Sequence, residues 1–244
     1  MRLITYNEFE TKVRADLDIQ DTDNFIGQDE FAALTNEAID MAEALIMSTF
    51  EDYFLTSSTL SLVQGASSID LPSDIYGQKI REIVYKNGDR IYPLTELKDP
   101  RKFYQKAVID RQAVSLDEYS WFLKSGTAGQ QDTLVITPAA LESGAYLETW
   151  YIRNANRILL QAAPDSASRA SQLACVIDIP EWRVFLEQYV KARVYEKMDE
   201  AVKMADANSK MKMISDQMLT NLKDKKLNQE TDIPPDVSHY VEHN

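Results

Sequence analysis

The chain has 244 residues, 44% of them hydrophobic and 27% charged, with a formal net charge of −13; that is enough for one sizeable core or two small ones. So acidic a chain repels phosphate, which argues against sequence-specific nucleic-acid binding and against docking on anionic membranes. No apolar run approaches the ~18 residues of a bilayer span, the first residues contain no signal-peptide core, and the single Cys175 excludes an intrachain disulfide and fits a reducing interior.

The charge is unevenly spread. Residues 1–76 hold Arg2, Lys12 and Arg14 against fifteen acidic side chains, a net of −12, and the rest of the chain is nearly balanced. A solubilising surface accounts for this as readily as a functional one.

Thr5-Tyr-Asn-Glu8 has capping-box spacing, and Phe9, Val13 and Leu17 follow at steps of four, which predicts a first amphipathic helix. Residues 18–28 are polar and contain Gly27, a loop. From Asp29 to about Phe50 the residues Phe31, Leu34, Ala38, Met41 and Leu45 predict a second helix, with Asn36 and Glu37 facing outward. The texture then changes. Alternation over 59–64, a turn at Gly65 and an extended Ile69-Asp-Leu-Pro72 predict a short hairpin, and residues 73–77 a tight turn. Lys79 to Lys86 reads as a strand, Asn87-Gly88 as a hairpin turn, and Arg90-Ile-Tyr-Pro93 as the returning strand.

Residues 94–109 are polar, with a short helix expected after Pro100. Strands are expected over 115–124, 133–138 and 145–153, joined by a flexible turn at 126–129. The pattern is a mostly antiparallel sheet of local hairpins, flanked by helices: an α+β fold rather than βαβ alternation. A long periodic segment closes the chain. Trp182, Leu186, Val190, Val194, Met198 and Val202 recur at four beside Phe185 and Tyr189, with Asp178 and Pro180 as start signals. The pattern weakens at 205–209 and resumes through Met211, Ile214, Met218 and Leu222 to about Lys226.

The expected organisation is therefore an α-helical bundle from 1–55 and 176–226, a β-rich domain over 56–153, a crossover loop over 154–175, and an extended C-terminal tail over 227–244. The tail is polar and proline-broken, suited to ordering on a partner. Ile233, Pro234, Pro235, Val237 and Tyr240 are its candidate docking residues. Trp182, Phe185, Leu186 and Tyr189 are expected to pack on the second helix. Met204, Met211 and Met218 are candidate subunit contacts, because methionine suits adaptable surfaces.

Catalytic signatures are scarce. The acidic stretch from Asp16 to Glu30 fails calcium-loop spacing in either register: from Asp16 the sixth position is Asp21, and from Asp21 the fifth is Phe25. His239-Tyr-Val-Glu242-His243 matches the H-x-x-E-H spacing of a zinc peptidase helix, yet Pro234-Pro235 precedes it and no third ligand or walled cavity is evident. A metal-dependent hydrolase built on that motif is the alternative reading from another class. No phosphate loop or G-x-S-x-G elbow occurs, and Cys175 reads as a buried apolar residue. Tyr146, Trp150 and Tyr151 would suit a single-strand stacking platform, but in an acidic chain they read as core or subunit contacts. The expectation is a non-enzyme without cofactor or metal.

Four stretches carry a resemblance: Ile69-Asp-Leu-Pro-Ser-Asp-Ile-Tyr76, Ile83-Val-Tyr-Lys-Asn-Gly-Asp-Arg90, Leu147-Glu-Thr-Trp-Tyr-Ile-Arg153, and Ile179-Pro-Glu-Trp-Arg-Val-Phe-Leu-Glu-Gln-Tyr-Val190. In this order, after an acidic helical pair, the chain resembles the head-to-tail connector adaptor proteins of tailed bacteriophages over roughly residues 5–225. The resemblance implies a virion structural protein at the neck, assembled in the host cytoplasm as a homo-oligomeric ring, commonly of twelve copies. It would be held between the portal protein and a tail or neck protein. DNA would pass through its partly acidic channel without specific binding. A neighbouring tail-completion or collar ring shares these features.

Overall fold

The computed structural model describes residues 3–19, 25–88, 90–99, 120–126, 132–137, 144–160 and 166–231. In chain order the elements are β1 (Ile4–Thr5), α1 (Tyr6–Leu17), α2 (Gln28–Thr49), β2 (Leu55–Ser61), β3 (Ser68–Asp70), β4 (Ile75–Asn87), β5 (Arg90–Pro93) and β6 (Thr95–Glu96). There follow β7 (Ser120–Lys124), β8 (Thr133–Thr137), β9 (Tyr146–Arg153), α3 (Ser166–Leu173), β10 (Val176–Ile177), α4 (Arg183–Lys197) and α5 (Ala201–Thr231). The chain is α+β, with helices at both ends and antiparallel sheets between. It divides into a helical unit, 1–53 with 155–244, and a β unit, 54–154.

The helical unit begins with the capping box that the sequence announces. Thr5 Oγ1 accepts the Glu8 N–H at 3.3 Å, and Glu8 Oε2 accepts the Thr5 N–H at 3.4 Å. β1 pairs antiparallel with β10, so the start of α1 is tied to the residues just before α4. Phe9 and Val13 of α1, Phe31, Ile39 and Ile46 of α2, and Leu186, Val190 and Val194 of α4 are buried together with Trp182. Each such side chain contributes roughly 1.5–3 kcal/mol of burial. α4 packs against α2; Phe185 is buried edge-on to Trp182 at 5.5 Å, and the half-buried Tyr189 donates its hydroxyl to Glu37 at 3.4 Å.

Four local features differ from what the sequence predicts. The closing helix is two helices: Asp199 takes φ +60° after Met198, its N–H reaches Glu196 O, and the Glu200 N–H reaches Tyr195 O. That is a Schellman ending, and α5 turns back along α4 until Lys225 meets Glu181 at 2.9 Å. The sequence weakens at 205–209, but that stretch is helical, and α5 runs on to Thr231. Asp178 is not the cap of α4. A 3₁₀ turn, Pro180–Trp182, precedes the helix, and Asp178 Oδ1 accepts the Asn156 N–H at 3.1 Å. The crossover, expected as loop, contains α3.

The β unit holds two four-stranded sheets, ordered β2-β9-β4-β5 and β3-β8-β7-β6. Every pair is antiparallel except β6 with β7. Ile83, Tyr85 and Leu147 of the first sheet and Trp121, Leu134 and Ile136 of the second form one buried cluster, so the sheets pack as a small sandwich. The Asn87-Gly88 hairpin is present: Asn87 pairs with Arg90, and Gly88 supplies φ +58° where the tight turn requires it. The hairpin expected over 59–72 is not formed, because β2 pairs with β9 and β3 with β8, in different sheets. The sheet is thus mostly non-local rather than a chain of hairpins. Residues 75–77, expected as a turn, open β4, whose register shifts between Ile75 and Ile80 where Gly77 and Gln78 take φ +52° and +60°.

Candidate interaction surfaces

The five docking residues Ile233, Pro234, Pro235, Val237 and Tyr240, and the motif His239, Glu242 and His243, lie outside the described residues, as do the helix expected after Pro100 and residues 127–129. Among the described residues no cluster of three or more His, Cys, Asp or Glu is placed to hold a metal, and no helix is long and apolar enough to cross a membrane. Cys175 is half-buried rather than in the core, its thiol on the Ser171 carbonyl at 3.5 Å. The three aromatics of β9 do not form one platform. Trp150 is exposed and Tyr146 half-buried, whereas Tyr151 faces the other way and is buried, its hydroxyl donating to Asp74 at 2.9 Å. Burial first, and then Asp74, pushes the Tyr151 phenol up to about 12.

The described residues of the acidic stretch are structural. Asp16 accepts from Lys191 at 2.7 Å and Lys12 at 2.9 Å, and these ammonium groups hold its carboxyl below the usual range. Asp18 ends α1 in the left-handed conformation, and Lys197 grips both Glu30 oxygens at 2.7 Å. Deeper inside, Glu10 joins Arg14 at 2.9 Å and Arg169 at 2.6 Å, and all three side chains are largely buried. Gln172 continues this network to Asp29 and the Leu159 carbonyl. Asp16, Glu10 and Glu30 each hold a cation of the helical unit.

A second set of polar groups straps residues 155–158 onto α2. The Asn36 side chain both donates to the Ile158 carbonyl at 2.9 Å and accepts its N–H at 2.8 Å. Glu43, buried, accepts the Ala155 N–H at 2.5 Å and Arg157 at 2.6 Å. Asn36, expected to face solvent, is thus a splint for the chain that enters from the β unit. A polar residue in mid-helix was the only available signal.

α5 is the most exposed element of the helical unit. At 1.5 Å per residue its 31 residues span about 46 Å. Met204, Ala207, Met211, Ile214, Met218 and Leu222 form its packing stripe, of which Ala207 and Leu222 are buried and the three methionines half-buried. The opposite side carries Val202, Met213 and Leu227, which are 85%, 64% and 59% exposed. Their spacings of eleven and fourteen are close to three and four whole turns, so they fall on one line of the helix. The spacing of four places Val202 on the apolar face of the closing helix, but the break at Asp199 turns it outward; Met213 and Leu227 are too widely spaced to leave a local periodicity. Where α5 returns past the start of α4, an open cleft of about 410 Å³ is lined by Trp182, Met218 and Leu222 and rimmed by the Glu181–Lys225 pair.

The described features are ion-pair networks within the helical unit and surfaces available for contact. A family model described as SU10 adaptor protein matches residues 4–235, running from β1 through both units to beyond α5. No curated protein matches the chain.

Proposed function

The chain belongs to the SU10 adaptor protein family of phage head-to-tail adaptors, and from that premise we propose that it forms the ring joining the capsid portal to the tail. It is a structural component of the phage virion; the ring, its channel and its contacts are the proposal. The observation that carries the reading is the family match over residues 4–235, which takes in every described element of both units.

In this reading twelve copies stack below the portal, and DNA passes through their channel. The excess of acidic side chains in residues 1–76 lines part of that channel, so that a polyanion slides without adhering. The outward line Val202, Met213 and Leu227 meets the neighbouring subunit, with the half-buried Met204, Met211 and Met218 adapting behind it. The segment after Thr231 docks on the portal through Ile233, Pro234, Pro235, Val237 and Tyr240.

The test is electron microscopy of the purified chain mixed with the portal assembly of the same phage. Added ring density stacked on the portal is the expected result. Portal particles that stay bare at saturating chain sink the reading, and a ring found only on a different neck component reassigns the chain to a collar.

A further inference from the structure

Among the described residues the β unit has four sheet edges, and they differ in how they are closed to other chains. β3 is three residues long and β6 two, too short to template much pairing. β5 has four residues, and the Leu94 N–H bonds the Ile83 carbonyl at 2.8 Å. With Asn87 opposite Arg90, that bond turns Ile91 and Pro93 to the open side. A proline without an N–H at an outward position is a common way to blunt an edge.

β2 has no such protection. Its seven residues, Leu55-Thr-Ser-Ser-Thr-Leu-Ser61, include no charge and no proline, and their register on β9 runs unbroken from Leu55–Ile152 to Ser61–Tyr146. The Leu62 N–H bonds the Ala145 carbonyl at 2.9 Å, which fixes the alternation. Thr56, Ser58 and Leu60 bond to β9, while Leu55, Ser57, Thr59 and Ser61 turn N–H and C=O to the open side. Those four residues are exposed, and among the described residues no strand pairs with them. A long edge without a register break, a proline or a charge is a template for another strand.

We propose that β2 accepts an added strand, and that the strand is Val237–His243 from the tail of a second copy of this chain. The proposal rests on the ring reading for the presence of a neighbour. After Pro234-Pro235-Asp236 the tail reads Val-Ser-His-Tyr-Val-Glu-His243, seven residues without proline, rich in strand formers and equal in length to β2. Five residues, 232–236, connect Thr231 to this segment, and at ~3.3 Å each they span up to about 17 Å toward an adjoining subunit. Glu242 is the only formally charged side chain in the segment and meets an edge without charge. Strand addition uses main-chain groups, so the Tyr240 side chain stays on a sheet face, available to the portal.

The experiment is hydrogen exchange of residues 55–61 in the full chain, alone over a concentration series and with portal assemblies. Portal attachment is read separately by co-sedimentation. Thr59→Pro removes one outward N–H that β9 does not use, with Ser57→Pro as a replicate, and Val241→Pro removes a donor from the tail; unchanged circular dichroism checks each fold. Assembly should slow exchange of 55–61 about tenfold or more, and Val241→Pro should abolish that slowing. Mixing Val241→Pro chains with Thr59→Pro chains should restore it in the former, since each supplies what the other lacks. No slowing on assembly overturns the proposal, as does slowing that persists in Val241→Pro. Loss in Val241→Pro without restoration on mixing assigns the strand to the chain's own tail and overturns the second copy. Slowing without portal attachment supports the strand while sinking the portal reading.

Discussion

Two aspartates, Asp18 and Asp199, end α1 and α4 with φ of +56° and +60°, in the region where a Cβ is costly and glycine is usual. Replacing Asp199 with Gly should raise stability by about 0.5–1 kcal/mol, read as a higher midpoint in thermal melts. Glu10 is the reverse case. It pairs with both Arg14 and Arg169, whose side chains are 5% and 16% exposed, so Glu10→Ala removes the carboxylate these two buried cations share. A loss of about 3 kcal/mol or more in urea unfolding is expected. The pH dependence has a definite sign at Tyr151. Its folded pKa, pushed up to about 12, lies above the ordinary value near ~10. Its contribution is therefore fully present below pH ~10 and lost as pH rises through about 12. Burial also pushes the Tyr6 and Tyr189 phenols up, so tyrosinate absorbance should show several late-titrating phenols, and Tyr151→Phe should remove the one at about 12.

At the scale of elements, the α4–α5 hairpin separates two roles that fall on opposite sides of one helix. Leu222 is buried on the packing side and Met213 exposed on the other. Leu222→Ala should cost about 2–4 kcal/mol of folding stability. Met213→Lys should leave the melting curve unchanged and weaken self-association in sedimentation. Equal effects of the two changes would erase the distinction between core and contact sides. β9 plays a similar organising part in the β unit, as the central partner of both β2 and β4. The β unit therefore closes only when a strand near residue 150 returns to one near residue 60.

For the whole molecule, the two units differ in what ties them together internally. The helical unit is cross-linked by charge: Glu187 to Lys12 at 2.9 Å and Arg183 at 2.7 Å, Asp16 to Lys12 and Lys191, and Lys197 to Glu30. Several of these groups are partly exposed, so salt should soften this unit more than the apolar β sandwich. Removing residues 232–244, which begins the truncation beyond the end of α5, should leave the circular dichroism spectrum intact and abolish portal attachment. Attachment by the truncated chain at full affinity would assign docking to another surface.

Local chemistry by itself determined a good part of this protein. The capping box at Thr5, the turn at Asn87-Gly88, the apolar face of α4 and the α+β order are all readable because each signal lies within a few residues. The order of short motifs also pointed toward the adaptor family that matches residues 4–235. The tertiary structure decided what depends on distant partners. Ser58 and Leu60 bond to β9, some ninety residues away, rather than to the neighbouring β3. Asn36 turns toward Ile158, and Asp178 gives its carboxylate to Asn156 instead of capping α4. The break at Asp199 follows the same rule. An aspartate carries no strong stop signal of its own, and it is the packing of α5 back onto α4 that compensates the strained turn. Which apolar residues of α5 face outward could not be read without knowing which face that packing consumes.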